Sequence, residues 1–383
     1  MKTIAVPTAT RAEYGQLIPL IKRIAADDEL DLDLIVTGTH LSNKHGHTID
    51  LIREDGFDIA HEIPILDDDN GPLGVSLTMS NALRGFAECF HEDRPDLVVI
   101  LGDRTEMLPV ACAALNERIP AAHIHGGEVT AGAVDESIRH AITKMSHLHF
   151  ASTERYRQRI IQLGEAPEHV YNVGALSVEN IRSAKLIGAE EVRSDIGIPA
   201  GMPFAVVTFH PVTMEGDTVK GQIDELCAAM REYGDIFFLI TGSNADAGGD
   251  TANTLLRSFA DDSPNAMFVQ NLGMRRYLSA AGSAAFLIGN SSSGILEGPA
   301  LGTPSVNIGD RQKGRIMAKT VVSCPAVAGA IKEAIGKAFS MEHIPSDLFG
   351  DGHTSEKIVN IIKQNLADGI TMKKGFYDLE GIR

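Results

Sequence analysis

The sequence predicts an α/β protein of two Rossmann-like, doubly wound domains, and three observations predict it. Short runs rich in Val, Ile and Leu alternate with amphipathic stretches, the pattern of parallel strands joined by helices. The alternation halts near Leu176–Ile181 and then restarts. At 383 residues the chain is also too long for one ordinary core.

Taken in order, KTIAVPT reads as a strand, TRAEYG as a polar turn, and a helix follows to about Ala26. Pro19 either kinks that helix or sits in its first turn. LDLIVTG is a strand, followed by a loop over Thr39–Thr48, a helix near Ile49–Glu54 and a strand near Ile59–Ile65. The acidic turn DDDNGP opens a long amphipathic helix through Phe90. DLVVILGD, AAHIHGGE and LHFAS then alternate with helices. After VYNVGAL the strands are PFAVVTFHP, DIFFLITGS, AMFVQNL, AAFLIGNSSS and PSVNIGD. The expected domains are 1–177 and 178–365, with a tail over 366–383 packing back on the first domain. The helical stretch at about Ser355–Leu366 is a second candidate to cross back.

Composition excludes several classes. An apolar fraction of 44% and a charged fraction of 22% describe a soluble globular protein. A net charge of −17 argues against a nucleic-acid or anionic-membrane partner. No apolar run reaches the roughly 18 residues of a membrane span, and the chain begins directly with a strand. Cys89, Cys112, Cys227 and Cys324 lie far apart in sequence, as reduced, buried thiols of a cytoplasmic protein would.

Polar and glycine-rich residues gather at the predicted strand ends: Arg11, Gly38–His40, Asp103–Arg104, Glu128, His210, Ser243–Asn244 and Asn290–Ser293. Domains with facing strand ends would place them in one cleft. The richest stretch is HIHGGEVTAGAVDESIRH, His123 to His140. Glu128 lies past a strand end, Asp135 and Glu136 at a helix start. Several carboxyls around one loop suit chemistry in which one group takes a proton and another gives one. His123 and His125 alternate on one strand, which raises a metal site, but no third ligand follows at a typical spacing. His123 is better read as a core histidine, and no metal or cofactor is expected.

GNSSSGILEGP joins a strand to a helix, so backbone N–H groups with the Ser291 and Ser292 hydroxyls form a site for phosphate oxygens. A plain serine cap is the bland alternative. Glu297, one turn on, could grip a ribose diol or simply face solvent. Arg11, Arg104, Arg139, Arg311 and Arg315 supply the positive charge a diphosphate requires, although singly each fits a surface ion pair. GxGxxG and GxxxxGK[ST] are absent, which argues against ordinary dinucleotide and P-loop enzymes.

Together TRAEYG, TGTHLS, ILGDRTEML, HIHGGE, DESIRHAITKMSHLHF, TFHPVT, GNSSSGILE and IGDRQKGR resemble the hydrolysing UDP-N-acetylglucosamine 2-epimerases of sialic and legionaminic acid pathways. The resemblance spans most of the chain in the family's order. Non-hydrolysing epimerases look like GTRPE, GDT and HVEAGLRT where this chain has TRAE, GDR and HIHGGE. The resemblance implies a glycosyltransferase-B-like architecture with the nucleotide held mainly by the second domain. It carries catalytic acids onto Asp103, Glu128 and Asp135 and an active-site histidine onto His210. The loop between Glu128 and Asp135 is a residue longer than in some relatives, so Glu136 competes with Asp135. Nucleotide contacts fall on Arg11, Arg104, Ser291, Ser292, Glu297 and Arg311, and a sugar contact on Asn244; position and charge add Arg139 and Arg315.

The implied reaction converts UDP-N-acetylglucosamine, or a related UDP-acetamido sugar, to UDP and a free N-acetylmannosamine-type sugar through a glycal. The expected protein is a cytoplasmic homodimer or homotetramer. The rivals are a non-hydrolysing epimerase, a glycosyltransferase of the same architecture, and an inert nucleotide-sugar sensor. The sensor would have no use for three acids.

Overall fold

The computed structural model describes residues 1–69, 71–129, 134–211, 218–243 and 249–379. The chain divides into two compact units, Met1–Asn180 together with Gly350–Arg383, and Ile181–Phe349.

The first unit is built on a seven-stranded sheet. Its strands are β1 (Lys2–Thr8), β2 (Leu30–Thr37), β3 (His61–Ile63), β4 (Leu97–Leu101), β5 (Ala121–Ile124), β6 (Leu148–Ala151) and β7 (Val170–Asn172). They are ordered β3-β2-β1-β4-β5-β6-β7 and all pairs are parallel. The second unit repeats the plan in a six-stranded sheet: β8 (Phe204–Thr208), β9 (Phe237–Thr241), β10 (Ala266–Val269), β11 (Phe286–Gly289), β12 (Ser305–Ile308) and β13 (Val321–Cys324). The order there is β10-β9-β8-β11-β12-β13, again all parallel. In each sheet the order reverses once, between β1 and β4 and between β8 and β11. Ligands of doubly wound sheets bind beyond the strand ends at such a reversal.

Both faces of each sheet are covered, which is why the strands read as unbroken apolar runs. Along β1, Ile4 and Val6 face a core that includes Leu17, Leu20, Ile21 and Ile24, while Ala5 faces the opposite core of Phe86, Val110 and Ile142. In the second unit Val207 and Phe238 pack with Leu226, Met230 and Ile335, and Val206 and Leu239 with Val192 and Ala280 on the other side.

Pro19 lies inside the helix Arg11–Ala25, not in its first turn. Proline lacks the N–H that would bond the carbonyl four residues earlier. Asn180 replaces it, its Nδ2 donating to Gly15 O at 2.7 Å. The expected domain limits need correction at the C-terminal end. The helix Thr354–Asp368 belongs to the first unit, because Ile358, Val359 and Ile362 complete the core against the helix Arg11–Ala25. Ser355 fixes its start, donating from N and Oγ to the buried Glu179 carboxylate, both at 2.6 Å.

The chain beyond that helix also packs on the first unit. Tyr377 N donates to Gly164 O at 2.9 Å, and Lys374 Nζ reaches Glu165 Oε2 at 2.6 Å. Burial alone would raise the Glu165 carboxyl, but hydrogen bonds from His149, Lys144 and Lys374 bring it down to about 2. A carboxyl depressed in the fold stabilises it above the unfolded value, 4.5, and that contribution is lost as pH falls through about 2. Lys374→Met should therefore unfold at higher pH than the native protein in an acid titration followed by circular dichroism. An unchanged midpoint would remove the tail from acid stability.

Candidate functional site

Each reversal point carries a group of polar side chains. In the first unit, β1 ends at Thr8 and Thr10 caps the next helix, accepting from Glu13 N at 3.3 Å. Arg11 is exposed at that helix start. Glu13 is buried; its Oε2 accepts from Ala9 N and Thr10 Oγ1, both at 3.2 Å. Burial lifts its carboxyl to about 7, against the pull of Arg104. Across the reversal, Arg104 donates to Glu106 Oε1 at 3.0 Å and stands 4.0 Å from Glu13 Oε2. A cavity of about 360 Å³ adjoins it, lined in part by Thr39, Asp67, Arg104 and Glu106.

Asp103 follows Gly102, whose φ of +72° turns the chain at the end of β4. It pairs with the buried Arg139 guanidinium from the helix Val134–Met145. Asp135 and Glu136 form the first turn of that helix. Glu136 is engaged along its own helix, by His140 Nε2 at 3.3 Å and Arg139 Nη1 at 3.8 Å. Asp135 lies in the field of Arg104.

Glu128 accepts from Ser152 Oγ at 2.7 Å and its Oε1 lies 3.8 Å from His125 Nδ1. His123 is a core residue: fully buried, it is pushed down to about 3 by desolvation and is neutral at ordinary pH. Its Nε2–H donates to Gly102 O at 2.7 Å, and Nδ1 accepts from Thr143 Oγ1 at 3.1 Å. Among the described residues, no group of three or more His, Cys, Asp or Glu side chains could hold a metal ion.

In the second unit, β8 and β11 are clasped at their ends by one amide. His210 N donates to Asn290 Oδ1 and Asn290 Nδ2 donates to His210 O, each at 2.7 Å. Gly289, φ +141°, allows this, since a Cβ there would lie 1.9 Å from Thr208 O. His210 Nδ1 is 3.1 Å from Ser243 Oγ. Ser291 caps the short 3₁₀ turn Ser292–Gly294, accepting from Ser293 N at 3.3 Å. The Ser293 hydroxyl is bound to Tyr277 at 2.5 Å, which leaves Ser291 and Ser292 as the outward pair. Arg311 and Gln312 donate to Asn290 O at 3.1 and 2.9 Å. Glu297 begins the next helix; burial raises its carboxyl, with Ser293 and Arg315 pulling the other way.

Thus Asp103 meets Arg139, Glu128 meets its own set, and Glu297 shares a field with Arg315. Asn244 lies outside the described residues, as does the loop 130–133. Glu13, Glu106 and Ser152 were not singled out from the sequence as site residues; Asn290 was read only as a strand-end residue and His125 only as one of a possible metal pair. TRAEYG and ILGDRTEML contain the first two, but only the fold joins them around Arg104.

The family model described as UDP-N-acetylglucosamine 2-epimerase matches residues 22–363. The chain is 38% identical over 385 residues to the polysialic acid biosynthesis protein P7 of Escherichia coli, covering 99% of this chain and 98% of that one. It is 39% identical over 322 residues to the GDP/UDP-N,N'-diacetylbacillosamine 2-epimerase (hydrolyzing) of Campylobacter jejuni, covering 84% of each. A UDP-N,N'-diacetylbacillosamine 2-epimerase (hydrolyzing) of Legionella pneumophila is 32% identical, with 95% of this chain and 96% of that one covered. Among solved structures, the UDP-GlcNAc 2-epimerase from Neisseria meningitidis bound to UDP-GlcNAc shares the fold at a TM-score of 0.80 and 16% identity, over 95% of this chain and 100% of that one. A match over most of the chain, with full-length relatives at this identity, establishes that the protein belongs to the UDP-N-acetylglucosamine 2-epimerase family.

Proposed function

We propose that this protein is a hydrolysing 2-epimerase, converting a UDP-linked 2-acetamido sugar to UDP and the free, 2-epimeric sugar. The observation that carries the reading is the set of acids at the first unit's strand ends. Asp103 is held by Arg139, Glu128 by Ser152, and Asp135 stands at a helix start in the field of Arg104. Glu136, engaged by its own helix, is the weaker candidate for the third acid.

The proton at sugar carbon 2 is not acidic, because no carbonyl adjoins that carbon. It becomes removable as the bond from carbon 1 to the phosphate oxygen breaks and its electron pair leaves with UDP. Ser291, Ser292, Arg11, Arg104, Arg311 and Arg315 stabilise the departing diphosphate, and Glu297 grips the ribose. His210, oriented through Asn290 and Ser243, contacts the phosphate or passes a proton. Asn244 contacts the sugar. One carboxylate takes the proton from carbon 2, giving a glycal. A second carboxyl protonates carbon 2 on the opposite face, water adds at carbon 1, and one proton is released overall.

The relatives named for N,N'-diacetylbacillosamine favour a substrate class that includes 4-acetamido sugars beside N-acetylglucosamine. The enzyme needs no metal or redox cofactor in this reading. It works in the cytoplasm as a homodimer or homotetramer. In deuterated, oxygen-18 water the reaction should place one deuterium at carbon 2 of the released sugar and no oxygen-18 in the UDP. Deuterium at carbon 2 of a sugar still bound to nucleotide would identify a non-hydrolysing epimerase. Inertness without an acceptor would identify a transferase.

A further inference from the structure

We propose that His125 is a further catalytic residue, the base that takes the proton of the water entering at carbon 1 and returns it to Glu128. The inference rests on the hydrolysing reading above and assigns Glu128 the step that protonates carbon 2.

The backbone is the first sign. His125 has φ +65°, in the left-handed region that residues bearing a Cβ rarely occupy. Its N–H is fixed to Phe150 O at 2.9 Å. Gly126 and Gly127 press the following turn onto its neighbours, and a Cβ at Gly127 would lie 2.4 Å from Tyr156 O. A strained residue held by its surroundings in this way is characteristic of working sites.

The ring is the second sign. Two residues earlier, on β5, His123 has both ring nitrogens engaged by Gly102 and Thr143. His125 is different: Nδ1 faces Glu128 Oε1 at 3.8 Å, and Nε2 is buried with no hydrogen-bond partner among the described residues. The side chain is 15% exposed although Nε2 is not, so Nδ1 is the nitrogen open to both water and Glu128.

The spacing is the third sign. Two groups less than 4 Å apart cannot lie on opposite faces of a sugar ring. They can serve adjacent carbons on one face. As the glycal forms its new bond, the carbon 1–carbon 2 π pair takes the proton of the Glu128 carboxyl at carbon 2. Water oxygen bonds to the electron-poor carbon 1, and its proton goes to His125 Nδ1, the nitrogen that faces Glu128. The same Nδ1–H then passes the proton to the Glu128 carboxylate, and both groups regain their starting state, with Nε2–H unchanged. The earlier elimination uses a different base, Asp103 or Asp135, which releases its proton to solvent. Contacts longer than a hydrogen bond in a free enzyme commonly tighten around substrate.

The test uses UDP-N-acetylglucosamine, UDP-N,N'-diacetylbacillosamine and the corresponding glycals supplied with UDP. His125→Asn is the first variant, because asparagine tolerates the left-handed backbone yet cannot shuttle a proton. It should still release UDP, accumulate the glycal, and hydrate added glycal at least 100-fold more slowly than the native protein. His125→Gly, which removes the backbone strain, should recover hydration as imidazole is added. Native hydration by His125→Asn would overturn the assignment. So would equal loss of UDP release and hydration with no imidazole rescue in His125→Gly, which would make the residue structural. If the native protein itself turns over neither nucleotide sugar, the function proposed above fails, and His125 falls with it. If the native protein turns over and the variants match it, only His125 is struck out.

Discussion

Glu128→Gln is expected to bind UDP as the native protein does and to form free, saturated sugar at least about a thousandfold more slowly, in the range typical of a lost proton-transfer group. The amide keeps the size and planarity of the carboxyl and can still accept the hydrogen bond from Ser152, now 2.7 Å long. It cannot carry the proton. Nucleotide affinity is assigned to residues of the second unit and to Arg11 and Arg104, none of which bonds Glu128 among the described contacts. Calorimetric titration with UDP and a coupled assay of sugar release separate the two effects. Near-native sugar release would sink the acid–base assignment, whereas lost affinity would place Glu128 in nucleotide binding.

Arg139→Met should be the most damaging change to stability among the site residues. The guanidinium is buried, with its partner Asp103 mostly shielded from solvent, and Glu136 is 3.8 Å away. Removing one side of such a pair leaves the other charge uncompensated, at about 3 kcal/mol. Asp103 would also lose the contact that aims it, so activity should fall together with the denaturation midpoint. Arg139→Lys should recover part of the stability and little of the activity, because a point charge does not reproduce a planar fork. A midpoint for Arg139→Met within about 1 kcal/mol of native, on the scale of an ordinary surface substitution, would show that the pair does not organise the site.

Much of the fold could be read from the chain because parallel strands buried on both faces leave long apolar runs. The runs LVVIL, AAHI, FAVVT and FFLIT are strands in the structure. Val321–Cys324 was missed: it is a short edge strand, only partly buried, and its serine interrupts the pattern. The domain limit at 365 followed sequence continuity, while the helical stretch at about Ser355–Leu366 was also read as a candidate to cross back, which it does. Continuity carries no information about which core an amphipathic helix completes. In the candidate site, charged residues at strand ends were legible one by one, since strand, loop and helix starts have local signatures. Their partners were not. Ser152 is 24 residues from Glu128, and Arg139 is 36 from Asp103. The left-handed backbone of His125 had only the two glycines after it as a hint, and these suit a close packing turn equally well.

The discontinuity of the first unit bears on how the protein is made. All residues of the second unit, Ile181–Phe349, leave the ribosome before the last piece of the first unit does. Until that piece emerges, Leu17, Leu20 and Ile21 lack the covering supplied by Ile358, Val359 and Ile362, and Glu179 lacks Ser355. The later-synthesised unit can therefore finish folding first, reversing the usual amino-to-carboxyl order. A nascent chain spends that interval with an apolar seam open to chaperones, and a premature stop after Phe349 would leave it open for good.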